Sequence, residues 1–317
     1  MILPACLPRE MDERPPGFIA PNLSPVGLRL QPRELATGVW ALMADQPPKD
    51  NNGLIVGEHS ALVVDAGVTP AIGRHIQDVA AELTDVPVRY LVNTTYHGDH
   101  TFGNTAFGPD VAVVSSRFNK VAMDDLDRER RIRAESMDGR PDVLDDITGW
   151  RLPDVVFDRF TEIDLGGRTV QLWHFGPGNG PGDTIVYVPD ARVAWTGNFL
   201  GPAGFPGMLL IGDPIGYLRS VQAMRATLDV HTLVPGHGFL GPAEPGTGAF
   251  LAYLEHLAES VTSAVTAGTP VEELYAAIPA RGIEPPPGVP AQFVDLMRSL
   301  HHLNILLTYR WLQPTAD

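Results

Sequence analysis

Two histidines and an aspartate fall within four residues, in the segment Asn93-Thr94-Thr95-Tyr96-His97-Gly98-Asp99-His100. A buried-type strand, Val88–Val92, leads straight into it. Imidazole nitrogen and carboxylate oxygen are the donors that suit zinc, iron or manganese. Further along, His237 stands between Gly236 and Gly238, on a turn where the backbone can approach a ligand closely. The same side chains also suit proton transfer, because an imidazole of pKa about 6.5 beside a carboxylate is an acid/base pair at neutral pH. Tyr96 sets a phenol next to the cluster, where it either donates a proton or packs inward. Two chemistries are therefore open at His97, Asp99, His100 and His237: metal binding, and metal-free acid/base work.

The flanking sequence says what must hold these residues in place. Short runs with strand character cover Gly38–Ala44, Asn52–Val56 and Ser60–Val64, the last ending in the strand-to-loop signal Asp65-Ala66-Gly67. Pro70 opens a helix to Leu83, with Ile72, Ile76, Val79 and Leu83 on one face. Strands are expected at Val88–Val92, Val111–Ser115, Val155–Phe157, Thr161–Leu165, Thr169–Phe175, Thr184–Val188, Arg192–Thr196 and Thr232–Val234. Helices are expected over Phe118–Glu135 and Ile215–Leu228. The C-terminal part is helical on either side of Pro285-Pro286-Pro287. Strands interleaved with helices imply two sheets covered by helices, with the site at strand ends. Residues 1–33 are proline-rich and weakly periodic and read as an extended arm; residues 34–317 read as one domain with a helical extension over 245–315.

Composition narrows the partners. The 317 residues carry a net charge of -15, which argues against nucleic acid and anionic membranes. The single cysteine, Cys6, allows no internal disulfide and no Cys-rich zinc motif. The first residues lack the pattern of a secretory signal, and no run approaches the roughly 18 apolar residues of a membrane span. A cytoplasmic protein is the expectation. The run Arg128-Glu129-Arg130-Arg131-Ile132-Arg133 is the one basic concentration. It reads as a solvated helix face or as a landing site for a phosphate or an acidic carrier protein.

Five landmarks in order resemble the metallo-β-lactamase superfamily. They are Val64-Asp65-Ala66-Gly67, His97-Gly98-Asp99-His100, Gly176-Pro177-Gly178-Asn179-Gly180-Pro181-Gly182-Asp183-Thr184, Trp195-Thr196-Gly197-Asn198 and Val234-Pro235-Gly236-His237. The resemblance runs from about Gly38 to Leu240. It implies an α/β fold of the αββα sandwich type, two mixed sheets flanked by helices, here with extra C-terminal helices. It also implies a two-metal centre whose ligands are only partly present. The first metal's positions are Thr95, His97 and Asn179, which leaves one imidazole. The second metal's ligands, Asp99, His100 and His237, are all present, and the bridging aspartate is replaced by Asn198. The expectation is one divalent metal on Asp99, His100 and His237, zinc first and iron or manganese as alternatives, with minor contributions from Asn198 and His97. A centre without any metal is the competing expectation. Asp65 is expected to buttress the metal loop, and Asp183 to fix the glycine-rich turn.

Family members mostly hydrolyse esters, thioesters, lactams and phosphoesters with a metal-activated water. The resemblance therefore implies a hydrolase, or a cyclase of specialised, polyketide-like metabolism. His97, Asp99, Thr95 and Tyr96 are its candidate catalytic groups. Asn179, Phe205, Met208 and Leu209 are expected to wall an apolar pocket. Two other outcomes follow from the same residues: a metal-independent cyclase, dehydratase or isomerase, and a non-catalytic binding protein on a former hydrolase scaffold. The expected partner is a small molecule, free or carrier-bound, and a homodimer is compatible with the sequence.

Overall fold

Alternating side chains build the first sheet. In β3 (Asn52–Val56), Leu54 points to one face and Ile55 to the other; in β4 (Ala61–Val64), Val63 and the pair Leu62/Val64 do the same. Both faces are covered, so β4 is buried throughout. The computed structural model describes residues 8–201, 207–283 and 291–313. Cys6, Phe205 and the Pro285–Pro287 break lie outside the described residues.

The first sheet has seven strands in sequential order. β1 (Leu30–Ala36), β2 (Val39–Ala44), β3 and β4 pair antiparallel. β5 (Val88–Val92), β6 (Ala112–Ser116) and β7 (Val155–Phe157) continue it in parallel from β4. β1 starts at Leu30, inside the stretch read as arm, because it finds an edge partner in β2. The second sheet has six strands: β8 (Phe160–Asp164), β9 (Thr169–Trp173), β10 (Ile185–Val188), β11 (Val193–Gly197), β12 (Thr232–Pro235) and the short β13 (Gly241–Pro242). Only β11 and β12 run parallel there.

The inner faces of the two sheets meet over Ile55, Leu62, Val92, Leu172, Val186 and Trp195. The outer face of the first sheet packs on α1 (Pro70–Leu83) through Ile72, Ile76 and Val79. α1 begins at Pro70, and the Thr69 hydroxyl caps it by accepting from the Ile72 amide. The outer face of the second sheet packs on α5 (Pro214–Thr227), α6 (Ala243–Ala267) and α8 (Ala291–Leu312), with Tyr217, Leu254 and Leu303 at the contact. The result is the expected helix–sheet–sheet–helix sandwich with extra helices at its C-terminal side; α7 (Val271–Ala277) is among them. The helix expected over Phe118–Glu135 is two, α3 (Arg117–Ala122) and α4 (Leu126–Ala134), because Asp125 starts a new helix by capping the Arg128 amide. The four-residue α2 (Gly98–Thr101) follows β5 directly.

Candidate metal centre

Strand ends converge from both sheets. The β5–α2 junction delivers His97, Asp99 and His100, the end of β4 delivers Asp65, and the turn after β12 delivers His237. Asn51 joins the sheets at this point. Its Nδ2 donates to the carbonyls of Pro235 and Gly238, its backbone N–H donates to Gly236, and its Oδ1 accepts from the Ala44 amide. This clamp seats the β2–β3 loop against the His237 turn and brings in a fourth group, Asp50. One donor atom each from Asp50, Asp99, His100 and His237 lies within 4.8 Å of the others. Gly236 makes the approach possible, since a Cβ there would sit 2.7 Å from His100 Cε1.

Hydrogen bonds around the two imidazoles fix where their protons lie. His100 Nδ1 faces Asp65 Oδ2 at 2.9 Å. His237 Nδ1 faces the Pro48 carbonyl at 2.9 Å, with Asp50 Oδ1 at 3.2 Å. All these partners are acceptors, so both rings carry hydrogen on Nδ1 and turn Nε2 inward. His100 Nε2 and Asp99 Oδ2 are buried without a hydrogen-bond partner, and Asp50 Oδ1 is buried with no more than its ion-pair contact to His237 Nδ1. His237 Nε2 lies 3.2 Å and His100 Nε2 3.5 Å from Asp99 Oδ2. Buried polar atoms are normally paired, and an imidazole held by an outer acceptor while its inner nitrogen has no hydrogen-bond partner is the arrangement of a metal-ligating histidine, which gives up its inner proton to the ion. A divalent cation therefore fits these residues.

Electrostatics agree. Burial works against ionising Asp99, but Arg133 and His100 hold its carboxyl well below the usual range. Burial lowers and Asp65 and Asp99 raise the His100 pKa, which ends at about 10 without a cation. Burial lowers that of His237. Burial and the neighbouring Asp99 push Asp50 well above the carboxylate range. The crowding of negative groups that a proton relieves at Asp50 is relieved equally by a divalent cation.

The other expected site residues divide. His97 is fully buried but stands outside the cluster. Its Nε2 pairs with Glu10 Oε1 at 2.9 Å, and its Nδ1 with Asn198 Nδ2 at 3.0 Å. With both ring nitrogens engaged, it has no lone pair for a metal, which corrects its assignment as a minor ligand. Asn198 turns its amide nitrogen to His97. Tyr96 is buried against Glu10 and Arg128, and lines a separate recess with Glu10, so it is not a proton donor to the Asp99 cluster. Thr95 is buried with its hydroxyl unpartnered. Asp65 accepts from the Thr94 amide and hydroxyl as well as from His100, and so braces the loop. Asp183 accepts from the Gly180 amide in the glycine-rich turn, and burial pushes its pKa up to about 7.

A cavity of about 70 Å³ opens on the cluster. Asp99, Arg133, Asn198 and His237 form its polar side; Leu23, Met208 and Leu300 form its apolar side. Asn179 lines it too and donates to the Met208 carbonyl. Leu209 does not: it is turned into the core with Phe199 and Leu200, because its amide is anchored by Asn304 Oδ1.

Three site residues went unread in the sequence: Glu10, Asp50 and Arg133. Arg133 is buried, 3.0 Å from Asp99 Oδ1 and 3.0 Å from Glu129 Oε1. Glu129 also accepts from the Gly98 amide at 2.7 Å. The basic run of α4 is therefore no plain solvated face, since Arg133 turns to the site and Arg128 grips Asp12 and the Glu10 carbonyl of the arm. The faint signal was the spacing Leu126, Glu129, Arg133, which puts an i,i+4 ion pair on the inward face of the helix.

The family model for the metallo-beta-lactamase superfamily matches residues 49–237, more than half of the 317-residue chain. Among solved structures, a metallo-beta-lactamase from Pontibacter korlensis aligns at 18% identity over 72% of this chain and 99% of its own, with TM-score 0.53. One from Erythrobacter litoralis aligns at 20% identity over 71% and 96%, also at 0.53. The inverting sec-alkylsulfatase Pisa1 from Pseudomonas sp. aligns at 14% identity with TM-score 0.66; it covers 89% of this chain, which spans half of the sulfatase. These likenesses establish the sandwich fold, and with the family match they show that the chain belongs to the metallo-β-lactamase superfamily.

Proposed function

We propose that the protein is a single-metal hydrolase acting on a small, partly apolar ester or thioester. One observation carries this: Asp99 Oδ2 and His100 Nε2 are buried, unpartnered and aimed at one point beside His237 Nε2. Asp99, His100 and His237 would hold the cation, with Asp50 as a second carboxylate. When bound, it supplies a Lewis acid and an acidified water for attack on a carbonyl. Two imidazoles with one or two carboxylates suit zinc and also iron or manganese.

The remaining residues prepare the substrate. Asp65 and the Pro48 carbonyl keep both imidazoles in the ligating tautomer. Arg133 offsets the charge of Asp99 and Glu129, so the polar wall is not purely anionic. Leu23, Met208 and Leu300 give an acyl chain or ring an apolar surface next to the polar groups. A polyketide-like acyl group suits that wall, and a cyclisation on the same cation is the variant to test beside hydrolysis.

Metal analysis and a substrate panel test the proposal together. Purified protein is expected to bind one divalent ion per chain and to hydrolyse p-nitrophenyl esters or acyl thioesters. Chelation is expected to abolish both, and readdition to restore them. His100→Ala is expected to lose the metal. Unchanged hydrolysis in fully demetallated protein would overturn the proposal and favour acid/base chemistry by the same side chains.

A further inference from the structure

We infer that Glu10, from the N-terminal arm, is a positioning residue of the cavity: through His97 it decides which end of the Asn198 side chain faces the reacting groups. Glu10 is 87 residues from His97 in the chain, yet its carboxylate is almost fully buried and lies 2.9 Å from His97 Nε2. A carboxylate only accepts, so the ring hydrogen sits on Nε2. That leaves Nδ1 as an acceptor, and the Asn198 Nδ2 amide donates to it at 3.0 Å. With its nitrogen committed to His97, Asn198 presents its carbonyl oxygen to the cavity it lines beside Asp99 and His237. His97 does not itself line that cavity. The geometry thus turns an imidazole into a relay that aims an amide.

The arm is built to deliver this group. The Met11 amide donates to the Leu210 carbonyl, Arg128 pairs with Asp12, and Arg310 pairs with Glu13 at 2.8 Å. Gly180 gives Glu10 its room, since a Cβ there would stand 3.0 Å from Glu10 Oε1. The consequence concerns substrate class. A fixed acceptor beside the cluster favours a substrate with a hydroxyl or N–H next to the reacting carbonyl, and disfavours one lacking it. This rests on the cavity being the reaction site, as proposed above; the relay itself does not.

Nitrogen-15 NMR of histidine-labelled protein at pH 8, with and without zinc, tests the relay directly. His97 is assigned by its loss in His97→Gln. The expected pattern is hydrogen on Nε2, a bare Nδ1, and a slowly exchanging Asn198 side-chain amide. In Glu10→Ala the ring is expected to populate both tautomers and the Asn198 amide to exchange at least tenfold faster, with zinc affinity unchanged within about twofold. Glu10→Gln, which still offers an acceptor oxygen, is expected to restore the pattern. With an active ester found, Glu10→Ala and Asn198→Ala are expected to raise KM about tenfold for a hydroxy-bearing ester and not for its deoxy analogue, the weight of one hydrogen bond. Hydrogen on Nδ1 in the wild-type protein, or an unchanged His97 pattern in Glu10→Ala, overturns the inference. Absence of hydrolysis with the pattern intact would instead sink the hydrolase proposal and leave the relay standing.

Discussion

Arg133→Met separates the stability of the protein from the affinity of its metal centre. The guanidinium lies 3.0 Å from Asp99 and 3.0 Å from Glu129. At that distance and an effective dielectric of about 20, each contact has a gross attraction of roughly 5 kcal/mol. Much of it is offset by the desolvation of three charges. Removing one partner of a buried pair has a net cost of about 3–5 kcal/mol, because the other charge is left behind. With unfolding entropy of about 2.1 cal/mol/K per residue, a 317-residue chain has roughly 0.7 kcal/mol per kelvin. The demetallated variant is therefore expected to melt about 4–7 °C below demetallated wild type. Its zinc affinity should move the other way. Asp99 no longer shares its charge with a guanidinium, and a divalent ion entering the cluster meets one positive charge fewer. A gain of at least about tenfold is expected, and saturating zinc should close part of the melting gap through mass action. Calorimetric melting of chelator-dialysed protein and zinc titration by isothermal calorimetry measure the two quantities. Weaker zinc binding together with an unchanged melting temperature would refute the placement of Arg133 as the counter-charge of Asp99.

Four further outcomes follow. Asp65→Asn weakens the acceptor that fixes the His100 tautomer, and is expected to lower zinc affinity about 10–100-fold with little change in fold, read by competition with a chromogenic chelator. In the metal-free protein the raised His100 pKa contributes stability that is fully present below about pH 6.5 and lost as pH rises through about 10; the melting temperature of demetallated protein should fall across that window, and by more than that of His100→Gln. Burial raises Asp183 to about 7, so wild type loses stability as pH climbs from about 4 to 7, and Asp183→Asn should melt higher above neutrality. The double variant Thr95→His/Asn179→His restores two first-metal positions, yet it should still bind one ion while Glu10 engages His97; adding Glu10→Ala should allow two, counted by mass spectrometry of the native protein.

What the sequence made legible was local. Val88–Val92, whose Leu91 and Val92 are buried, is followed within a few residues by His97-Gly98-Asp99-His100, so strand pattern and donor chemistry point to the same place. His237 between two glycines is legible for the same reason. Glu10 and Asp50 were not, because the contacts that make them site residues are made by other parts of the chain. Nothing in a proline-rich stretch announces that Glu10 will meet His97, and Asp50 enters only because Asn51 binds the turn at Pro235–Gly238. Arg133 was missed for a different reason. A charged helix reads as solvated when its charges are counted one by one, whereas its burial depends on Glu129 and Asp99 being in place to receive it. Thr95, Asn179 and Asn198 stand out in the sequence as departures from the family's ligands, but that Asn198 meets a His97 held by Glu10 depends on a carboxylate arriving from the arm.

The Asn51 clamp also bears on time rather than on strength. His237 is the one cluster residue with appreciable exposure, its side chain 19% accessible, whereas Asp99 is at 1%. The cavity reaches the cluster beside the turn that carries His237, and that turn is fastened by three hydrogen bonds from a single residue. Loosening the fastening speeds entry and exit alike, so it changes how long an ion resides more than how tightly it is held. Asn51→Ala should then shorten residence more than it weakens equilibrium binding, and the protein would keep or exchange its ion on the schedule of a loop that contributes no catalytic atom.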